Sequence, residues 1–440
     1  MSNHKLAIDN SQVPEGYKKT EVGVIPEDWD VASLVDVSIN GGLVRGPFGG
    51  ALKKEFFVKS GYKVYEQRNA IYRSIEIGNY FIDSKKFNDL NRFEISEGDI
   101  IVSCSGTIGC IYKIPEGAPQ GVINQALLKI TLNNNLIDSN FFLAVFCCDK
   151  FQEKITENSH GGAMQNLVGM DTFKNTLLQL PPLPEQRAIA QTLSDVDALI
   201  AALDKLITKK RNIKTATMQQ LLTGKKRLSG FSDEWHQVLL GELGVFSKGS
   251  GIKKDDVLDY GFACIRYGEI YTKHHDFIKK FYSFISEKTA NNSQVIKSGD
   301  LLFAGSGETA EEIGKCVAFL KGKIAYAGGD IVIFSPKEQD SMFLGYLMNY
   351  ESIVRQKARM GQGDAVVHIQ AKNLAQLQFD LPPLEEQRAI ASILSDIDAE
   401  IAALEKRRAK TKAIKQGMME QLLTGKTRLI VPSNAYTQCP

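Results

Sequence analysis

LPPLPEQRAIAQTLSDVDALIAALDKLITKKRNIKTATMQQLLTGKKRL, residues 180–228, returns as LPPLEEQRAIASILSDIDAEIAALEKRRAKTKAIKQGMMEQLLTGKTRL, residues 381–429, with no gap and a constant offset of 201. About two positions in three are identical, so the chain carries an internal duplication. The likeness extends more weakly upstream. Asp28-Trp29 with Val31 and Leu34 resembles Glu234-Trp235 with Val238 and Leu240, and these are the only two tryptophans. Gly98-Asp99-Ile100-Ile101 aligns with Gly299-Asp300-Leu301-Leu302, each running into a Ser-Gly turn at Ser105-Gly106 or Ser306-Gly307. The chain therefore reads as two tandem halves, each a divergent globular domain that folds by itself, followed by a closely similar segment. The expected divisions are a flexible N-terminus (1–15), a first domain (16–179), a first helix (180–228), a second domain (229–380), a second helix (381–429) and a flexible tail (430–440).

Periodicity defines the repeated segment. Pro181, Pro182 and Pro184 suit a helix start, where the backbone N–H groups have no acceptor, and Glu185 complements the positive end of the helix dipole. Ile189, Leu193, Val196, Ile200, Leu203 and Ile207 then follow alternating steps of four and three, the seam of a coiled coil. Ile390, Leu394, Ile397, Ile401 and Leu404 repeat it. Basic runs at Lys209-Lys210-Arg211 and Arg407-Arg408 follow, and Gly224 and Gly425 suit left-handed helix caps. Over residues 185–223 such a helix is about 58 Å long. An apolar stripe on a rod of that length has to be buried, and the two copies are natural antiparallel partners under a pseudo-twofold axis. The alternative is that each helix packs only on its own globular domain.

Composition narrows the rest. With 440 residues, 43% of them hydrophobic, the chain can bury more than one core. No run of about 18 apolar residues is present, and residues 1–19 are polar rather than a leader, so a cytoplasmic protein without a membrane span is expected. The seven cysteines, Cys104, Cys110, Cys147, Cys148, Cys264, Cys316 and Cys439, form no C-x-x-C pair, which supports neither a disulfide framework nor a zinc site. A net charge of +2 leaves any nucleic-acid role to local basic patches.

Such patches are found in both halves. The first has Arg45-Gly-Pro-Phe-Gly-Gly, Lys53, Lys54, Arg68, Arg73 and Lys85-Lys86 interleaved with Tyr65 and Tyr72; the second has Lys253, Lys254, Arg266, Tyr267, Lys273, His274, His275 and Lys279-Lys280. On loops between short strands, lysines of this kind meet phosphates while arginines and polar side chains meet base edges. Taken singly, each also reads as a solvated surface charge.

Enzyme signatures fail on inspection. Phe303-Ala-Gly-Ser-Gly307 echoes the S-adenosylmethionine loop of adenine methyltransferases, but no Asp/Asn/Ser-Pro-Pro-aromatic motif is present to grip a flipped base, because both Pro-Pro pairs are flanked by leucine. Gly425-Lys426-Thr427 ends like a phosphate loop, yet Glu420 stands where the first glycine is needed. Carboxylates and histidines form no nuclease-like or metal-binding cluster, so neither a catalytic residue nor a metal ligand is assigned.

Two divergent domains, each followed by Leu-Pro-Pro-Leu-x-Glu-Gln-Arg-Ala-Ile-Ala and ending in Leu-Leu-Thr-Gly-Lys, resemble the specificity subunit of type I restriction-modification systems over roughly residues 16–429. The resemblance implies an α+β fold of two mixed α/β target recognition domains separated by two long antiparallel coiled-coil helices. Each domain would read one half of a split, asymmetric double-stranded DNA site, and the helices would set the gap. It further implies two methyltransferase and two restriction/motor subunits as partners, with S-adenosylmethionine, ATP and Mg held by those subunits and no cofactor in this chain. Glu185-Gln186-Arg187 and Glu386-Gln387-Arg388 would either face the methyltransferase or brace the domains. A coiled-coil adaptor without DNA specificity and a self-contained DNA methyltransferase are the competing readings.

Overall fold

Both repeated segments are single 39-residue helices, Leu183–Leu221 and Leu384–Leu422. They lie inside the expected segments 180–228 and 381–429, and the first starts two residues ahead of Glu185 because Pro184 is tolerated in a first turn whose N–H groups have no acceptor to lose. Gly224 (φ +67°) and Gly425 (φ +68°) close them, with Lys226 N–H bonded to Gln220 O and Thr427 N–H to Gln421 O. A side chain at Gly425 would stand 2.5 Å from Pro26, so that cap needs glycine for space as well as for φ.

The computed structural model describes residues 13–157, 166–320, 322, 324–363 and 366–429. Of the expected terminal segments, residues 1–12 and 430–440 lie outside these, as does Cys439. By compactness the chain divides into one unit of residues 1–202 with 408–440 and another of residues 203–407, so both cuts fall inside the long helices.

In the first unit, β1 (Ser38–Arg45), β2 (Tyr62–Tyr65), β3 (Ile100–Ser103), β4 (Gly121–Ile123) and β5 (Leu127–Leu132) build two sheets. An antiparallel sheet has the order 111–113, β3, β5, β1, and a mixed one the order 57–58, 81–82, β2, β4, 94–95, with β2 and β4 parallel. In the second unit, β6 (Gly244–Lys248), β7 (Phe262–Ile265), β8 (Leu301–Ala304), β9 (Ala325–Ala327) and β10 (Ile331–Pro336) repeat the plan as β6, β10, β8, 316–318 and as 283–285, β7, β9, 294–296.

Each core takes side chains from both repeats. The main core of the first unit joins Trp29, Phe141, Phe142, Ile189 and Leu193 to Met419, Leu422 and Leu423 from the far end of the chain. That of the second unit joins Phe303, Tyr346, Ile390 and Leu394 to Leu221 and Leu222. The expectation that each half folds by itself is thereby corrected, since the hydrophobic end of one repeat's helix completes the other repeat's domain. Within the units the helices run antiparallel, through Asp197 and Lys415 (2.7 Å) in the first and through Asp398 with Lys214 (2.9 Å) and Glu400 with Lys210 in the second. Ile189, Leu193, Ile390 and Leu394 serve the globular cores. Further along the seam Leu203, Ile207 and Ile401 are buried, and Val196, Ile200, Ile397 and Leu404 half-buried.

The Glu-Gln pair at the start of each helix is a domain brace. Glu185, 5% exposed, accepts from Trp29 Nε1 (2.9 Å) and from Arg428 Nε and Nη2 (both 2.8 Å). Glu386, 0% exposed, accepts from Trp235 Nε1 (3.0 Å) and from Arg227 Nε (2.7 Å) and Nη2 (2.6 Å). Gln186 accepts from Asp138 N and donates to Leu136 O and Pro181 O, and Gln387 accepts from Asp340 N and donates to Pro382 O. Arg187 and Arg388 are exposed. A bidentate pair this buried is costly to break from one side. Glu386→Ala is expected to destabilise the second unit by about 3 kcal/mol, with hydrogen exchange showing protection lost across residues 203–407.

Corresponding positions meet one need with different groups. In the first unit Gln152 Nε2 donates to Phe146 O (2.6 Å) and, at 3.4 Å, to Gly109 O. In the second, Lys357, 1% exposed, donates to the corresponding carbonyls, Met348 O (2.9 Å) and Gly314 O (2.5 Å). Burial pulls its pKa down to about 8 from an ordinary 10.5. Between those values the unfolded chain binds the proton and the folded chain does not, so this lysine makes stability rise with pH across that window, by on the order of 3 kcal/mol at most. Thermal melts from pH 7.5 to 10 should show that rise, and Lys357→Met should reduce it.

Candidate nucleic-acid interface

In each unit the chain passes from one sheet to the other through a three-residue crossover, Asn124–Ala126 between β4 and β5 or Gly328–Asp330 between β9 and β10. Three other segments are tied to it. Asn124 N–H bonds Tyr65 O at 2.9 Å, as Gly328 N–H bonds Ile265 O at 2.9 Å. Cys104 N–H bonds Ala126 O at 2.8 Å, matched by Gly305 N–H on Asp330 O at 2.7 Å. Gly46 N–H on Leu127 O and Gly249 N–H on Ile331 O are both 2.9 Å. A Cβ at Gly46 would lie 1.9 Å from Asn124 O and one at Gly249 2.0 Å from Gly328 O, so only glycine lets the strand end approach the crossover. Four loops thus converge in the same way in both units.

Arg45 ends β1 beside this junction. It is half-buried, its charge partly offsets the burial that pushes the Cys104 thiol up to about 11, and its Nε has no hydrogen-bond partner among the described residues. Its positional counterpart is Lys248, since Arg45 pairs with Leu128 on β5 and Lys248 with Val332 on β10. Gln67, whose Oε1 is also buried and unpartnered, opens the short helix Gln67–Ile71 after β2, where Tyr267 opens Tyr267–Thr272 after β7. Gln67 was not among the sequence candidates. It carries no charge, and only the fold brings it to the Ser105-Gly106 turn.

The remaining candidates sort by position. Lys53 and Lys254, with their neighbours Lys54 and Lys253, are exposed around the short turns Lys54–Phe56 and Lys254–Asp256, at matching places in the two units. Arg68 is exposed on Gln67–Ile71. Arg73 (φ +50°) lines a cleft of about 350 Å³ with Cys147, Asp197 and Lys415, on the helix side of its unit. Arg266 is half-buried at a helix start, 3.6 Å from Glu269, with its Nε unpartnered. Lys273 is exposed and lies over the Tyr282 ring, as does Lys280.

His274 calls for a correction. It is 3% exposed, and burial holds its imidazole below the ordinary pKa against the pull of Glu269. It therefore offers no cation to a phosphate near neutral pH, while the exposed His275 beside it remains accessible. The Phe303–Gly307 loop is likewise a strand turn, with Ser306-Gly307 paired to Val367-His368.

A loop frame built twice on one backbone plan is the architecture of a paired recognition protein. The family model for the type I restriction modification DNA specificity domain matches the chain twice, at residues 26–213 and 232–415, and the chain belongs to that family. It is 27% identical over 438 residues to the putative type I restriction enzyme MjaX specificity subunit of Methanocaldococcus jannaschii, covering 94% of this chain and 97% of the relative. It is 26% identical over 435 residues to the MjaVIII specificity subunit of the same organism, covering 94% and 96%. Among solved structures, a chain of a type I R-M system complex aligns with TM-score 0.57 and 18% identity over 92% of this chain and 99% of its own length. The S subunit from M. genitalium gives 0.54 and 16% over 90% and 96%.

The paired lysines at Lys53-Lys54 and Lys253-Lys254 yield a salt prediction. Lys53→Ala with Lys54→Ala should weaken duplex DNA binding similarly for all sequences and lower the slope of log K against log salt by about two, measured by fluorescence titration.

Proposed function

We propose that this chain is the sequence-reading subunit of a type I restriction-modification assembly. Each globular domain reads one half of a split, asymmetric site in double-stranded DNA, and the paired helices set the gap between the halves. A stiff spacer makes that gap a geometric property, as dimer geometry does for other half-site readers. Two methyltransferase subunits dock on the chain, and two restriction/motor subunits join for cleavage. Adenine methylation and DNA cleavage belong to those subunits, together with S-adenosylmethionine, ATP and Mg. The assembly works in the cytoplasm; among the described residues no helix is long and apolar enough to cross a membrane.

The observation that carries this reading is the family match falling twice on a chain whose two sheet-crossover frames agree in backbone. Two similar readers that differ in their loops fit an asymmetric split site. An adaptor would have no need of two such frames.

Co-expression with the methyltransferase subunit of its own operon, followed by single-molecule mapping of modified adenines in host DNA, tests the proposal. A split motif with one modified adenine in each half is the expected result. A stable complex that leaves DNA unmodified, or no complex at all, would count against it.

A further inference from the structure

The crossover junction holds a pattern that the family assignment does not explain. Its backbone is the same in both units, with three matching hydrogen bonds that differ by no more than 0.1 Å and a glycine forced into each. Its side chains are not the same. Arg45 stands where the second unit has Lys248, Gln67 where it has Tyr267, and Ala126 where it has Asp330. The lysine pairs a few residues beyond β1 and β6 are, by contrast, alike in both units.

Contacts to phosphate carry no sequence information, so two domains reading different half-sites can share them. Contacts to base edges must differ. Resting on the DNA-reading function proposed above, we infer that the sheet-crossover junction is the base-reading centre of each domain. Arg45 and Gln67 specify one half-site, and Lys248, Tyr267 and Asp330 specify the other.

The chemistry of the first junction suits this role. An arginine fork matches the O6 and N7 acceptors of guanine, and a glutamine amide matches N6 and N7 of adenine. Both side chains keep a buried polar atom without a partner among the described residues, Arg45 Nε and Gln67 Oε1, as Arg266 Nε and His274 Nε2 do in the second unit, and a side-chain turn toward a base edge would relieve that cost at the junction. Gln67 Nε2 lies 3.9 Å from where a Cβ on Gly106 would stand, and Arg45 acts on the thiol of Cys104 two residues earlier, so both are close to one turn. In the second junction Lys248 and Asp330 are exposed, and Tyr267 is 41% exposed. Asp330 is held at φ +59°, and its carboxylate is of the type that accepts from cytosine N4.

The test uses the full chain with its methyltransferase subunit and the modification map of the unaltered complex as reference. Gln67→Ala and Arg45→Ala are each expected to relax one or two letters of a single half-site, with discrimination there falling roughly 10- to 100-fold while the other half-site keeps its motif. Arg45→Lys, which installs the residue found at that frame position in the second unit, keeps the fold and should change the same letters. Lys53→Ala with Lys54→Ala should lower modification everywhere without changing any letter. Variants with unchanged melting temperature that modify the original motif, or that lose both half-sites together, would overturn the inference while leaving the function standing. A reference complex that yields no split motif would remove the function itself and the inference with it.

Discussion

A carboxylate buried at the first turn of each long helix organises this protein. Glu185 and Glu386 each receive a tryptophan indole from the start of the adjoining domain and an arginine fork from the end of the other repeat's helix. Desolvating a carboxylate is tolerable only when its lone pairs are filled, and here each is filled by groups far apart in the chain. The brace therefore sets where each helix starts on its sheet and which segment closes each core. It is also reciprocal, with Arg428 serving Glu185 and Arg227 serving Glu386.

With those supports in place, the two domains can afford to vary elsewhere. The crossover glycines and their hydrogen bonds keep one loop geometry, while the side chains displayed there change from an arginine and an amide to a lysine, a phenol and a carboxylate. This division between a repeated scaffold and a variable display is how one fold serves two recognition tasks. The carboxylates of the braces are fully engaged, whereas Arg45 and Gln67 at the first junction each retain an unpaired buried atom.

Much of the architecture is legible in the sequence. The duplication, the helices, their caps at Gly224 and Gly425 and much of the apolar seam follow from spacing alone. The tryptophans were visible as landmarks, but their role was not, because nothing local in Asp28-Trp29 announces a partner at Glu185. Charge alone does not report position. It picks out His274, which is buried, and Arg73, which lines a cleft on the helix side, and it does not pick out Gln67, which is neutral and becomes notable only through its orphaned oxygen.

The sequence by itself determined the elements and their repetition, since helix periodicity and capping are properties of residues three to seven apart and survive in any context. Only the tertiary structure decided that Met419, Leu422 and Leu423 complete the first core, that Arg428 reaches a carboxylate 243 positions away, and that four loops meet at one crossover. Those outcomes depend on which buried surfaces and charges can be satisfied together. That choice is made among segments distant in the chain, and no short window of sequence contains it.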